Sequence, residues 1–358
     1  MSDPGTIDNA FTGGLKGSAE EPTFSGAQSF MRRRYTKSLA GADVAILGIP
    51  FDGATSNRPG ARFGPAAIRR ASMIFDGDPQ YPSGIDPFAD LAVVDYGDCL
   101  LPRGLSPLAP AEIERQVMAI VATGVHLISL GGDHFISLPL LRAHAARHGP
   151  LAIVQFDAHQ DTWDDGVDGV THGSFINLGV ESGLIDASRS IQIGVRTIAP
   201  RDCGIEVMDA ERCAELTGRE IAEEIIARVG GAPCYLTFDV DALDPAYAPG
   251  TGTPVAGGLT TARALAAIWH ARELDWRGMD PQCSQRRESA VIDPTGKSSV
   301  PIFGIRVKPR NKKYFALSEG QIRAISTAIP SRQEGRWPSS LRGTGMRWTR
   351  RLRPTSAA

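Results

Sequence analysis

LAIVQFDAHQD, from Leu151 to Asp161, begins as a short apolar run and ends in the polar cluster Asp157-Ala158-His159-Gln160-Asp161. The run is largely apolar on both faces rather than alternating, the pattern of a strand buried from both sides. Five more stretches share it: VAILGI (Val44 to Ile49), LAVVD (Leu91 to Asp95), HLISL (His126 to Leu130), SIQIGV (Ser190 to Val195) and CYLTFDVD (Cys234 to Asp241). Helical patterns lie between them at Pro65 to Ile74, Ala111 to Ala122, Leu138 to Arg147 and Thr260 to Arg272. Doubly buried strands alternating with helices predict a three-layer α/β/α fold, a parallel sheet covered by helices on each face. Ligands bind such sheets beyond the carboxyl ends of the strands, so chemistry is expected in polar clusters that directly follow apolar runs.

Outside these runs, usage is that of a globular protein: 42% of the 358 residues are hydrophobic and 22% charged, which excludes a disordered, collagenous or fibrous chain. No apolar stretch approaches the roughly 20 residues that span a bilayer. MSDPGTIDNAFTGG at the N-terminus has no basic start followed by an apolar run, so the cytoplasm is the expected compartment. Cys99, Cys203, Cys213, Cys234 and Cys283 are widely spaced and never form C-x-x-C, which reads as reduced thiols rather than a disulfide framework or thiolate zinc site. Three segments are expected: an irregular arm over residues 1–40, a catalytic domain over 41–280 with compact structure from about Asp43, and an atypical basic tail over 281–358. The tail holds 16 Lys and Arg against 4 Asp and Glu, a balance of +12, and the remaining 22 and 36 leave residues 1–280 at −14.

Three polar clusters follow apolar runs: Gly131-Gly132-Asp133-His134, Asp157 to Asp161, and Asp239-Val240-Asp241-Ala242-Leu243-Asp244. A lone Asp after a buried strand is most often a helix cap or turn residue. Three such clusters, all carrying metal-ligand residue types, are not explained that way. Extended backbone turns alternate side chains the same way, so Asp157, His159 and Asp161 are expected to converge, as are Asp239 and Asp241, with His134 nearby. Unit charges about 4 Å apart repel by roughly 4 kcal/mol at an effective dielectric of 20, so four carboxylates together need cations. Two divalent ions balance them. Oxygen-rich ligation with imidazole and no thiolate suits manganese, with zinc, cobalt and nickel left open, and the histidines disfavour calcium.

At these residues the sequence resembles the ureohydrolase family of arginases, agmatinases and guanidinobutyrases. GGDH, DAHQD and DVDALDPAYAPGTGTPVAGGLT match its signatures in order, and FDGATSNRPGARFGPAAIR (Phe51 to Arg69) extends the likeness to the agmatinase branch. The resemblance implies an arginase-like fold and two Mn2+ per subunit. One ion would be held by His134, Asp157, Asp161 and Asp239, and the other by Asp157, His159, Asp239 and Asp241, with Asp157 and Asp239 bridging. It implies hydrolysis of a small guanidino substrate to urea and an amine by water activated between the ions, with Asp161 accepting or relaying its proton. His172 in Val170-Thr171-His172-Gly173 matches the family's proton-shuttle histidine, and the family's trimers or hexamers imply a homo-oligomer.

Asp164, Asp165 and Asp168 follow the ligands in place of a carboxylate-binding Asn loop. Three carboxylates at a cleft mouth attract a second cation, which favours agmatine, giving putrescine, over arginine or 4-guanidinobutyrate. A single-zinc deacetylase is a weaker reading because the paired motifs call for two metals, and neither a nucleic-acid nor a membrane partner is expected. The tail sets one further expectation. Where relatives continue with a glutamate that holds the guanidinium, this chain reads PQCSQRRESAVIDPTGKSSV, with Pro281 unable to donate to a ladder and Glu288 out of register. A tail that packs poorly and a catalytically impaired, metal-binding relative are therefore expected.

Overall fold

The computed structural model describes residues 8–19, 21–75, 84–102, 106–164 and 171–282. Among these residues nine parallel strands form one sheet: β1 (Arg34–Tyr35), β2 (Val44–Gly48), β3 (Val93–Asp98), β4 (His126–Leu130), β5 (Ala152–Phe156), β6 (Ile191–Val195), β7 (Glu206–Asp209), β8 (Pro233–Phe238) and β9 (Asp275–Pro281). Their order is β1-β3-β2-β4-β9-β8-β5-β6-β7. The period of two along each strand splits the core into two layers. Val44, Ile46, Ile128, Val154 and Leu236 pack with Ile221, Ile225, Ala264 and Ile268 of helices Gly218–Val229 and Thr261–His270. Ala45, Leu47, Leu127, Ile153 and Tyr235 pack with Ile113, Val117, Leu138 and Leu141 of helices Ala109–Ala122 and Ser137–His148. This is the three-layer α/β/α arrangement that the doubly apolar runs predict.

Four differences from the sequence reading have physical causes. Strands β1 and β7 escape a hydrophobic pattern because they are short edges, with Arg34 and Tyr35 both exposed and only Met208 of β7 buried. Residues 8–40 are irregular but not detached: Phe30 and Met31 lie in the core, and the buried Arg33 guanidinium stacks 3.9 Å over the Phe88 ring, so packing begins well before Asp43. CYLTFDVD does not stay extended to Asp241. Strand β8 ends at Phe238, and Asp239 caps a 3-10 turn over Val240–Ala242. Pro281 does not break β9. It is the strand's last residue, its carbonyl accepts from Gly131 N at 2.9 Å, and Gln282 N donates to Phe238 O at 2.7 Å. The rest of the tail, Glu288 included, lies outside the described residues.

The turn after β4 is fastened to the turn after β2. Asp133 N donates to Phe51 O at 2.8 Å, and the Asp133 carboxylate accepts from Ala54 N at 2.9 Å. This approach needs Gly132, because a Cβ there would fall inside the Phe51 carbonyl. Gly132→Ala is expected to cost about 1–3 kcal/mol, the usual range for overpacking, read as a lower urea midpoint at unchanged slope.

Candidate metal centre

His134, Asp157 and Asp239 stand at the carboxyl ends of β4, β5 and β8. His134 Nδ1 faces three carboxylates, lying 2.9 Å from Asp157 Oδ2, 3.0 Å from Asp161 Oδ2 and 3.5 Å from Asp239 Oδ2. His159 Nδ1 lies 3.3 Å from Asp157 Oδ1 and 3.1 Å from Asp241 Oδ2. Among the described residues two groups able to hold a metal ion result, His134-Asp157-Asp239 and Asp157-His159-Asp241, joined through the two oxygens of Asp157. Asp161 adjoins the first group through His134 Nδ1. Asp239 stands in the first group only, and its Oδ1 accepts from Asp241 N at 2.9 Å.

All six ligand candidates therefore come together, although not by alternation along extended backbone. Asp161 is at φ +50, a left-handed conformation uncommon outside glycine, which turns its carboxylate back toward β4. Backbone donors fix the others: His159 N to Asp157 Oδ1 at 2.7 Å and Ala158 N to Asp241 Oδ1 at 3.0 Å. His134 Nδ1 and Asp161 Oδ2 are buried and have no hydrogen-bond partner among the described residues despite their closeness. Bare donor atoms converging on one point fit a cation.

Without a cation the site gathers protons. Burial would lower both imidazoles, but the carboxylates facing them win, raising His134 well above its ordinary 6.5 and His159 to about 11. Burial would raise Asp157, yet His134 and His159 hold it below the usual carboxylate range. Burial, then the charge of Asp157, raises Asp161 to about 7. Asp239 is pushed well above its ordinary value by burial and by Asp241 and Asp157, and Asp241 is raised by burial and Asp157.

The cleft above the ligands is lined by Thr55, Asn57, Arg58, His172, Thr251 and Thr253, with His134 and Asp239 at its floor. Ser56 holds His172 Nε2 from its backbone N at 3.1 Å and its hydroxyl at 2.7 Å. Asp164 does not join this cleft: it is exposed and paired with Arg201 at 2.9 Å, so its charge is answered at the surface. Asp165 and Asp168 lie outside the described residues. The sequence reading also missed the supporting residues. Gln155 Nε2 donates to Asp157 Oδ2 at 2.8 Å, Thr253 Oγ1 donates to Asp241 Oδ2 at 3.0 Å, and Arg196 binds the Asp241 and Val255 carbonyls at 2.6 and 2.7 Å. Of these only Gln155 carried a signal, as a polar residue inside the doubly buried run LAIVQF; Arg196 and Thr253 lie outside the apolar runs.

Residues 42–282 match the model of the arginase family. The chain is similar to an agmatinase of Chromobacterium violaceum, with 47% identity over 269 residues, 75% of this chain and 84% of that protein. Its fold is similar to the crystal structure of a hypothetical agmatinase from Burkholderia thailandensis, at a TM-score of 0.79 and 42% identity, covering 83% of this chain and 96% of that one. It is also similar to proclavaminate amidino hydrolase from Streptomyces clavuligerus, at a TM-score of 0.71 and 34% identity, over 78% and 95%.

Ion binding needs neutral imidazoles and ionised carboxylates, whereas in the absence of an ion the facing carboxylates raise His134 and His159, and burial with Asp241 and Asp157 raises Asp239. Divalent ions should therefore expel protons on binding, and affinity should rise with pH. Calorimetry in buffers of different ionisation enthalpy reads the number directly. Conversely, the stabilisation that the raised His159 gives the ion-free protein is complete below about pH 6.5 and lost as pH climbs through about 11.

Proposed function

Because this chain belongs to the arginase family, we propose that it is a hydrolase cleaving a guanidino carbon–nitrogen bond, with two Mn2+ ions as cofactor and agmatine, yielding putrescine and urea, as substrate. The observation that carries this reading is the pair of imidazole–carboxylate groups sharing Asp157. His134 Nδ1 with Asp157, Asp161 and Asp239 would hold one ion, and His159 Nδ1 with Asp157 and Asp241 the other. When bound, such ions balance the carboxylate charge and lower the pKa of water, making a nucleophile available at neutral pH. Water attacking the guanidinium carbon must shed a proton, and Asp161, whose buried Oδ2 lies 3.0 Å from His134 Nδ1, would take it. His172 lines the same cleft, and its imidazole would hand a proton to the departing amine. Ser56 orients the ring from two atoms.

Agmatine is supported by the relatives rather than by the acidic loop, since Asp164 is engaged by Arg201. One observation favours a second reading. Arg58 lines the cleft beside His172, where a guanidinium would pair with the carboxylate of 4-guanidinobutyrate and repel a distal ammonium. We also propose a cytoplasmic homo-oligomer; no helix among the described residues is long and apolar enough to cross a membrane.

Urea release from agmatine, arginine and 4-guanidinobutyrate after Mn2+ loading decides between the substrates, and agmatine is expected to have the highest kcat/KM. Acetate release from an acetylated amine, without urea, would instead identify a deacetylase. Asp157→Ala should lose the dinuclear site, whereas His172→Ala should keep both ions and slow turnover by about 10²–10⁴-fold. In the sequence after Asp280, Glu288 does not match the position of the expected guanidinium-binding glutamate. A missing charge-assisted partner costs about 1.5–3 kcal/mol, so kcat/KM is expected roughly tenfold to more than a hundredfold below that of relatives carrying the glutamate.

A further inference from the structure

Asp280, at the carboxyl end of β9, is fully buried and belongs to neither metal group. Three hydroxyls, two from β8 and one from the helix that follows β4, donate to it. Thr237 Oγ1 reaches its Oδ1 at 2.5 Å, and Ser137 Oγ and Tyr235 OH each reach its Oδ2 at 2.9 Å. A hydroxyl has one proton, and that of Thr237 is committed to the carboxylate. The lone pairs of its oxygen are what remain for His134 Nε2, 2.7 Å away. Nε2 must then carry the ring proton in the neutral imidazole, leaving Nδ1 bare. Nδ1 is the atom that faces Asp157, Asp161 and Asp239. The opposite tautomer would set two lone pairs against each other, or oblige Thr237 to turn away and deprive a buried carboxylate of its closest donor.

We propose that Asp280, acting through Thr237, is a positioning residue that fixes His134 as an Nδ1 metal ligand and increases the basicity of that nitrogen. The role rests on the metal-binding reading above. It is the carboxylate–histidine–metal arrangement with a threonine hydroxyl interposed. Tyr235 and Ser137 serve a different end, satisfying the remaining lone pairs of Asp280 without touching His134 through a hydrogen bond.

Mn2+ titrated calorimetrically into chelator-stripped full-length protein tests this without reference to turnover. Thr237→Val keeps the shape and removes the hydroxyl, and it should weaken one of the two ions by about 10–100-fold while sparing the other. Thr237→Ser should restore the affinity. Tyr235→Phe, which removes a different donor from the same carboxylate, should bind both ions as the wild type does. Asp280→Asn carries the same expectation as Thr237→Val should the latter fail to fold, and the double variant should be no worse than the poorer single one. If His134→Ala loses an ion while Thr237→Val binds both normally, the relay is wrong and the metal site stands. If His134→Ala keeps both ions, the metal reading fails and the relay with it. Equal damage from Tyr235→Phe and Thr237→Val would reduce Asp280 to a packing role.

Discussion

Four carboxylates gathered at the ends of neighbouring strands concentrate more negative charge than a low-dielectric interior tolerates unaided, and much of the surrounding backbone answers that charge. Unit charges about 4 Å apart at an effective dielectric of 20 repel by roughly 4 kcal/mol. The turns after β5 and β8 each aim a peptide N–H at a carboxylate oxygen, from His159 to Asp157 and from Asp241 to Asp239, and Ala158 N crosses from one turn to the other to reach Asp241. The left-handed Asp161 is part of the same arrangement, because an extended residue there would carry its carboxylate away from β4. Arg196 does not touch the carboxylates. It binds the carbonyls of Asp241 and Val255, which keeps the turn after β8 in shape while leaving the ligand oxygens free of a competing cation.

This division of labour explains what was legible in the sequence. Ligands must be Asp or His, and they sit immediately after apolar runs, so GGDH, DAHQD and DVD could be read residue by residue. The geometry joining them could not, because it depends on one positive φ and one 3-10 turn that the alternation of an extended chain does not foretell. The second layer was less visible still. Gln155 and Thr237 are polar residues within strands whose burial was correctly read, and a buried polar residue in one strand becomes meaningful only when the strand beside it is known. Asp164 was opaque in another way, since its pairing with Arg201, 37 positions later, leaves no mark in the local sequence.

The sheet order shows how the two halves of the site meet. Strand β4, carrying His134, and β8, carrying Asp239, are not paired with each other, because β9 lies between them. Strands β1 to β4 lie on one side and β5 to β8 on the other, so β9 is the one strand that joins the two groups in the sheet. Leu127 and Ile128 of β4 pair with Gly278 and Met279, which in turn pair with Tyr235 and Leu236 of β8.

The strand that closes the sheet is therefore also the one that can couple its halves chemically. Asp280 receives Ser137, from the helix that follows β4, and Thr237 and Tyr235, from β8, so one buried carboxylate spans the junction at the level of the ligands. Gln282 adds the last backbone link by donating to Phe238 O. The match to the arginase family ends at this same residue, 282, and the strongly basic composition belongs to the segment that begins at 281. Closure of the sheet, placement of His134 opposite Asp157 and Asp239, and the hydroxyl contacts behind His134 all involve residues up to 282. The residues that gather the metal-ligand types are thus contained in the segment that matches the arginase family.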